Sequence, residues 1–304
     1  MHLKIIDYSI IDNNIKRILK TNRLCLVLKN DAYGFGLVKI LKLGLKNKID
    51  LYAVNTIEEA ILARRYCEKQ IILFGNGTNQ LKELKEYQVL PTAGSRREIE
   101  LYSQNQIRFA LEIDSGMNRF GIKSFEEEFL KNPYLDMVYT HFYKKLPANT
   151  VMMDWIEALC RKYGKTCHFG GSLVYGENSY CLRVGRLIYE NSMQLYGRVV
   201  GIKNVLPGES VGYEGEYVAA KPQRIAVLDV GYYNGIRIHF DGFVYCRGQK
   251  YRIVGRVCMN HAFVEADDKI EMNDLMEFFG NHIPLADFLE HNKMSEYESF
   301  LFLR

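Results

Sequence analysis

Lys29 is the residue whose setting most invites chemistry. It closes the apolar run 24–28. A turn-like stretch with Gly34 and Gly36 follows, and a helical pattern begins near Leu37. An ammonium at the end of a buried strand is costly to keep charged. Its pKa falls, and the free amine becomes a nucleophile or a base. A surface lysine that merely follows a core strand has the same local sequence, so other residues must decide. Arg119, His141, Ser172, Arg183 and Gly185 also stand at, after or on short apolar runs. Small residues around Ser172 and Gly185 suit an anion held by backbone N–H groups. A lysine together with a phosphate pocket suggests pyridoxal phosphate, held as a Schiff base.

Eight apolar runs must position these groups: 24–29, 50–55, 70–75, 89–93, 108–113, 135–142, 166–171 and 182–189. Helical patterns lie between them at 37–46, 56–67, 80–87, 96–103, 125–130 and 150–163. Thr56 followed by Glu59 reads as a capping box. Eight such alternations predict a (β/α)8 TIM barrel, an α/β fold whose chemistry sits at the C-terminal strand ends. The segment is short against the ~250 residues usual for that fold, so trimmed outer helices are expected. Pattern alone leaves an open doubly wound sheet as the alternative.

From about Tyr196 the character changes. Strands are predicted over 198–205, 216–219, 224–229, 243–246, 252–257 and 262–265, with turns such as Pro207-Gly208, Asn234-Gly235 and Arg247-Gly248. A late helix is expected over 283–290. The domains are thus 1–197, a barrel, and 198–304, mostly β, with the first few residues free to pair with the second domain.

The 304 residues carry a formal net charge of +4, from 40 basic and 36 acidic residues. That balance gives no reason to expect nucleic acid or a membrane surface as partner. Seven dispersed cysteines without a CxxC pair read as reduced thiols in a cytoplasmic protein, with no metal site. Lys4 and Asp7 interrupt the apolar N-terminus, which therefore lacks the core of a signal peptide.

Several segments together resemble one family, the alanine racemases of the barrel-plus-β-domain type. They are Val27-Leu28-Lys29-Asn30-Asp31-Ala32-Tyr33-Gly34-Phe35-Gly36, Asp114-Ser115-Gly116-Met117-Asn118-Arg119-Phe120-Gly121 and Thr140-His141-Phe142. Arg183-Val184-Gly185-Arg186 with Tyr189 and Gly208-Glu209-Ser210-Val211-Gly212-Tyr213 follow. Arg224-Ile225-Ala226, Gly231-Tyr232-Tyr233-Asn234-Gly235, Gly255-Arg256-Val257-Cys258-Met259-Asn260 and Tyr297-Glu298 complete the series in the family's order. The resemblance implies interconversion of L- and D-alanine on pyridoxal phosphate, with D-alanine destined for bacterial cell wall. Two bases on opposite faces of a planar intermediate are implied: Lys29, which also holds the cofactor, and Tyr213. The resemblance further implies that the tyrosine comes from the other subunit of a homodimer and lies near His141, with the following roles for the remaining residues. Arg183 faces the pyridine nitrogen and His168 supports that arginine. Tyr33, Ser172, the backbone of Gly185 and Arg186, and Tyr297 hold the phosphate. Arg119 and the backbone of Met259 contact the substrate carboxylate.

The chain departs from the family pattern in places. Glu112 stands where many relatives have a lysine that becomes carboxylated and orients the arginine at Arg119. A carboxylate can supply that negative charge permanently. Asn260 replaces an aspartate, Gly171 an asparagine, and Tyr232-Tyr233-Asn234-Gly235 a common Tyr-Ala-Asp-Gly. Lys144 and Lys145 lie just past His141. Three alternatives stay open: a racemase for another amino acid such as serine, a related barrel decarboxylase, and a non-catalytic pyridoxal-phosphate-binding paralogue.

Overall fold

Strand β1 (Leu3–Ile6) and the helix Tyr8–Leu19 precede eight parallel strands: β2 (Arg23–Val27), β3 (Leu51–Val54), β4 (Gln70–Leu73), β5 (Leu90–Ala93), β6 (Phe109–Ile113), β7 (Leu135–His141), β8 (Thr166–Gly170) and β9 (Cys181–Val184). In this computed structural model, which describes residues 3–142, 144, 148–170 and 181–303, the eight close into a barrel. β2 pairs with β3 on one side and with β9 on the other, Cys25 opposite Arg183, so the open-sheet alternative is excluded. The strands read as nearly unbroken apolar runs because both faces are covered. Cys25, Val27, Ala53, Ile72, Leu90, Ala110, Met137, Tyr139 and Cys181 pack together as one core cluster. Each fully buried aliphatic side chain contributes about 1.5–3 kcal/mol relative to exposure. The opposite faces of the strands are covered by helices such as Leu37–Lys46, Ile57–Arg64, Arg96–Gln104 and Ala148–Lys162.

The predicted eighth strand is shorter than expected. It ends at Val184, and Arg186–Tyr189 winds into a 3-10 turn after Gly185. The stretch 125–130 likewise forms a 3-10 turn, Glu127–Lys131, in place of a helix. The helix Tyr8–Leu19 has no counterpart among the predicted elements. It buries Ile11, Ile15 and Ile18 at helical spacing. Its Asp12 accepts from Lys16, Lys46 and Asn47, and its Asn14 donates to the Ile188 carbonyl.

The chain divides into one unit of Ile11–Ile188 and another of Met1–Ile10 with Tyr189–Arg304, so the division falls before the predicted 197. The reason is β10 (Met193–Val205), which runs through that position with buried and half-buried residues alternating from Met193 to Val199. It pairs antiparallel with β1, Leu3 opposite Tyr196. The other strands of this unit are β11 (Ser210–Val211), β12 (Tyr217–Val218), β13 (Gln223–Leu228), β14 (Phe243–Cys246), β15 (Gln249–Val254), β16 (Ala262–Ala266) and β17 (Leu275–Phe279). The main sheet runs β1-β10-β13-β16-β15-β14-β17, and β17 returns to pair with β10. β11 and β12 form a separate two-stranded ribbon. β17 was not expected, because Glu277 interrupts its apolar run. That carboxylate is buried and accepts from the backbone N–H groups of His282 and Ile283 and from the Tyr196 hydroxyl. The late helix is Leu285–His291, and a second, Glu296–Phe302, opens on a capping box of Ser295 and Glu298.

Candidate active site

At the C-terminal end of β2 the backbone leaves the strand in an unusual way. Leu28 N–H still donates to the Ala53 carbonyl at 2.7 Å. Then Asn30, Asp31, Ala32 and Tyr33 all take left-handed dihedrals, with φ from 52° to 59°. Four consecutive non-glycine residues there cost roughly 1–2 kcal/mol each, and such strain concentrates at functional sites. Several bonds hold the turn. Ala32 N–H donates to Leu28 O at 2.8 Å, and Gly36 N–H to Asp31 O at 2.9 Å. Asn30 N–H donates to Glu59 Oε1 at 2.5 Å, and Leu37 N–H to Asp31 Oδ1 at 2.7 Å. Glu59 also closes the capping box with Thr56 that opens the helix Ile57–Arg64. Gly34 and Gly36, at φ of 81° and 92°, let the chain exit into the next helix. The turn sets Lys29 Nζ 5.9 Å from the centre of the Tyr33 ring. Burial, then the charges of Arg119 and Arg183, push the Lys29 pKa down, against a weaker opposing pull from Glu59.

Arg183 on β9 is 8% exposed. Its guanidinium carbon lies 4.7 Å from the Phe74 ring centre and 4.9 Å from that of Tyr139. Nη2 is 2.8 Å from His141 Nδ1. A guanidinium only donates, so Nδ1 accepts and the ring hydrogen of neutral His141 sits on Nε2. Nη1 is buried with no partner among the described residues. Two glycines make room here. A Cβ on Gly170 would lie 2.1 Å from Arg183 Nη2, and one on Gly185 would lie 2.4 Å from the Tyr33 hydroxyl.

Burial, then Arg183, Arg119 and Lys29, hold the His141 pKa down at about 3. The fold therefore favours the neutral ring. Unfolded histidine takes up its proton near pH 6.5, so the stability from His141 is complete above about pH 6.5 and declines as pH falls towards about 3. In ring 15N NMR, His141 is expected to show the Nε2–H tautomer and no titration between about pH 5 and 8; a midpoint near 6.5 would contradict this.

Glu112 is buried on β6. Its Oε2 accepts from the Tyr139 hydroxyl at 3.2 Å, and that hydroxyl lies 2.9 Å from Thr92 Oγ1. Burial raises its pKa, opposed by the charges of Arg183 and Arg119. It makes no ion pair with Arg119 among the described residues, so its tie to that arginine is through space. Arg119 is exposed, 5.8 Å from the Phe120 ring centre. His168 also differs from the expectation. It is fully buried and stacked on Tyr139 at 4.7 Å, and neither ring nitrogen has a partner among the described residues. Burial and Arg183 keep it neutral. The imidazole that accepts from Arg183 is that of His141 instead.

Lys29, Tyr33, His141, Arg183 and Gly185 thus gather at one end of the barrel, with Glu112, Arg119 and His168 around them. Arg186 opens the 3-10 turn after Gly185. Ser172, Gly171 and Lys145 lie outside the described residues. Phe74 and Tyr139, adjacent rings 5.6 Å apart that both lie against the Arg183 guanidinium, carry no signal of this role in the sequence, although each lies at or near a strand end.

The remaining predicted residues belong to the other unit. Tyr213 starts the short 3-10 turn Tyr213–Gly215 and is 64% exposed. Met259 and Tyr297 are exposed as well. The Met259 segment is fixed by Gly231-Tyr232-Tyr233: Tyr232 and Tyr233 N–H donate to the Cys258 and Met259 carbonyls, each at 3.0 Å. A Cβ on Gly231 would lie 2.3 Å from the Cys258 carbonyl oxygen, so only glycine fits.

These residues fit pyridoxal phosphate. An amine with a lowered pKa can take the aldehyde, Arg183 Nη1, which has no partner among the described residues, can donate to a ring nitrogen, and the missing side chain at Gly185 lets the Tyr33 hydroxyl come close to its backbone. Among the described residues no cluster of three or more His, Cys, Asp or Glu is arranged for a metal ion, and no helix is long and apolar enough to cross a membrane.

Comparison with known proteins adds to this geometry. Residues 6–145 match the family model described as alanine racemase, N-terminal domain, and residues 192–303 match alanine racemase, C-terminal domain. The chain is 28% identical over 291 residues to the alanine racemase of Streptococcus equi subsp. equi, across 82% of this chain and 79% of that protein. The alanine racemase of Clostridium difficile 630 shares the fold with a TM-score of 0.86 at 23% identity, covering 100% of this chain and 93% of that one. A structure of alanine racemase from Bartonella henselae with covalently bound pyridoxal phosphate shares it with a TM-score of 0.83 at 22% identity, covering 99% and 97%.

Proposed function

Because the chain belongs to the alanine racemase family, we propose that it interconverts L- and D-alanine with pyridoxal phosphate, using Lys29 and Tyr213 as bases on opposite faces of the substrate. Pyridoxal phosphate is the cofactor of this family, and when bound it supplies the electron sink that makes an amino acid's α-proton removable. The observation that carries the reading is the barrel-end group of Lys29, His141 and Arg183, with burial lowering the lysine pKa and Arg183 Nη1 left without a partner among the described residues.

The chain's own residues divide the work. Lys29 anchors the cofactor and, when freed as an amine, takes the proton on one face and returns it as the ammonium. Arg183 cannot give up a proton, so it would hold a bound cofactor's ring nitrogen unprotonated, which would disfavour side reactions such as transamination. Tyr33, Ser172, the backbone of Gly185 and Arg186, and Tyr297 bind the phosphate. Arg119 and the backbone N–H of Met259 orient the carboxylate. Tyr213 is supplied by the partner subunit of a homodimer. The Nε2–H of His141 is the donor available to its phenolate, which lowers the cost of forming that base.

Glu112 supplies negative charge near Arg119 and Arg183 without bound CO2. Glu112→Gln keeps an acceptor for Tyr139 but removes the charge. It is expected to lower activity roughly tenfold, about 1.4 kcal/mol of lost through-space attraction to the two guanidiniums; unchanged kinetics and an unmoved Arg119 would sink the assignment.

The test of the function is a chiral assay of the cofactor-loaded protein across the common L-amino acids. Conversion of L-alanine is expected. Preference for serine or a longer side chain would redirect the substrate assignment. Release of CO2 would indicate a decarboxylase. Cofactor absorbance with no reaction would indicate a binding protein.

A further inference from the structure

The turn that carries Tyr213 has little stiffness of its own. Gly212 and Gly215 sit at φ of 81° and 62°, and Glu214 between them at 60°, a region that favours glycine. The ribbon on either side, β11 and β12, is two residues long per strand. A phenol on such a support has many orientations to choose from.

Arg256 supplies a restraint. Its Nη1 lies 2.5 Å from Glu214 Oε1 and its Nη2 2.6 Å from Glu216 Oε1, so one planar fork grips a carboxylate on each side of Gly215. The Arg256 side chain is only 24% exposed, and its backbone runs close against the ribbon. A Cβ on Gly255 would lie 2.5 Å from the Val211 carbonyl oxygen, and one on Gly212 would lie 3.2 Å from that of Arg256. His239 Nδ1 lies 3.6 Å from Glu216 Oε2, beyond hydrogen-bond distance, so the grip on Glu216 is that of Arg256. A single exposed ion pair does little, but a half-buried planar fork across two carboxylates imposes a geometry. Met259, three residues on, belongs to the same segment.

We propose that Arg256 is a positioning residue for Tyr213, pinning its turn through Glu214 and Glu216 so that the phenol returns to one place on each turnover. The proposal rests on the reading of Tyr213 as a base. Arg256 needs no contact with the substrate. Without the clamp, proton transfer on the Tyr213 face slows, and transfer on the Lys29 face does not.

The test uses cofactor-loaded wild type, Arg256→Gln, Arg256→Lys, the double variant Glu214→Gln/Glu216→Gln, and Tyr213→Phe. Exchange of the α-hydrogen in deuterated water is followed by NMR, separately from L- and D-alanine. Arg256→Gln and the double variant are each expected to slow exchange about tenfold to a hundredfold for one enantiomer, the one that Tyr213→Phe also affects. Exchange of the other enantiomer, the KM and the cofactor absorbance stay unchanged. Arg256→Lys keeps part of the rate, since an ammonium bridges one carboxylate but cannot reproduce the fork. Wild-type exchange in Arg256→Gln, or equal loss for both enantiomers, overturns the proposal. One-sided loss in Tyr213→Phe without any in Arg256→Gln removes the clamp alone. No effect of Tyr213→Phe removes the reading of Tyr213, and the proposal with it.

Discussion

Lys29→Ala is expected to abolish both the near-visible absorbance of the cofactor-loaded protein and its conversion of L-alanine. Two functions disappear together, the covalent anchor and one of the two bases. A positioned general base alone contributes about 10²–10⁴ in rate, so the combined loss should exceed about 10⁴-fold. The fold should survive. Lys29 makes no ion pair among the described residues, and burial already disfavours its charge. The hydrogen bonds of the left-handed turn use the backbone of its neighbours and the Asp31 and Glu59 side chains. Thermal unfolding near the wild-type temperature with colour and activity lost is the expected combination. Retained colour would place the cofactor linkage elsewhere.

Tyr213→Phe carries the second large effect. The ring remains and only the hydroxyl goes, so packing is nearly unchanged. At 64% exposure within its own unit, Tyr213 contributes little to the core. Racemisation is expected to fall by about 10²–10⁴-fold, the usual worth of a general acid or base, while cofactor absorbance is kept. Wild-type racemisation by Tyr213→Phe would remove this residue from the chemistry.

Much of the barrel was legible because parallel strands covered on both faces leave continuous apolar runs, and all eight runs became strands. Helix Tyr8–Leu19 was less legible: its apolar positions, Ile11, Ile15 and Ile18, are interleaved with polar residues near the chain's start. β17 was hidden by Glu277, whose burial depends on partners remote in sequence, such as the Tyr196 hydroxyl. At the site, residue types gave Lys29, His141 and Arg183. No pattern in 24–36 foretells four successive left-handed residues, because Asn30 and Asp31 tolerate positive φ singly, Ala32 and Tyr33 do not favour it, and Gly34 and Gly36 lie after the run. The partner of Arg183 was equally illegible. His141 and His168 stand on adjacent strands, and only the closed barrel decides which imidazole meets the guanidinium. Arg256 lay inside a recognised motif, yet its grip on Glu214 and Glu216 requires the folded ribbon.

The central claim is that Lys29 and Tyr213 act on opposite faces of one substrate. Cofactor-loaded Tyr213→Phe in deuterated water, given L-alanine and D-alanine in separate reactions, tests it most directly. Lys29 alone should exchange the α-hydrogen of a single enantiomer and return it without inversion, while the other enantiomer stays unlabelled. Labelling of both enantiomers at the wild-type rate, or inversion with the hydroxyl gone, would contradict the two-face arrangement.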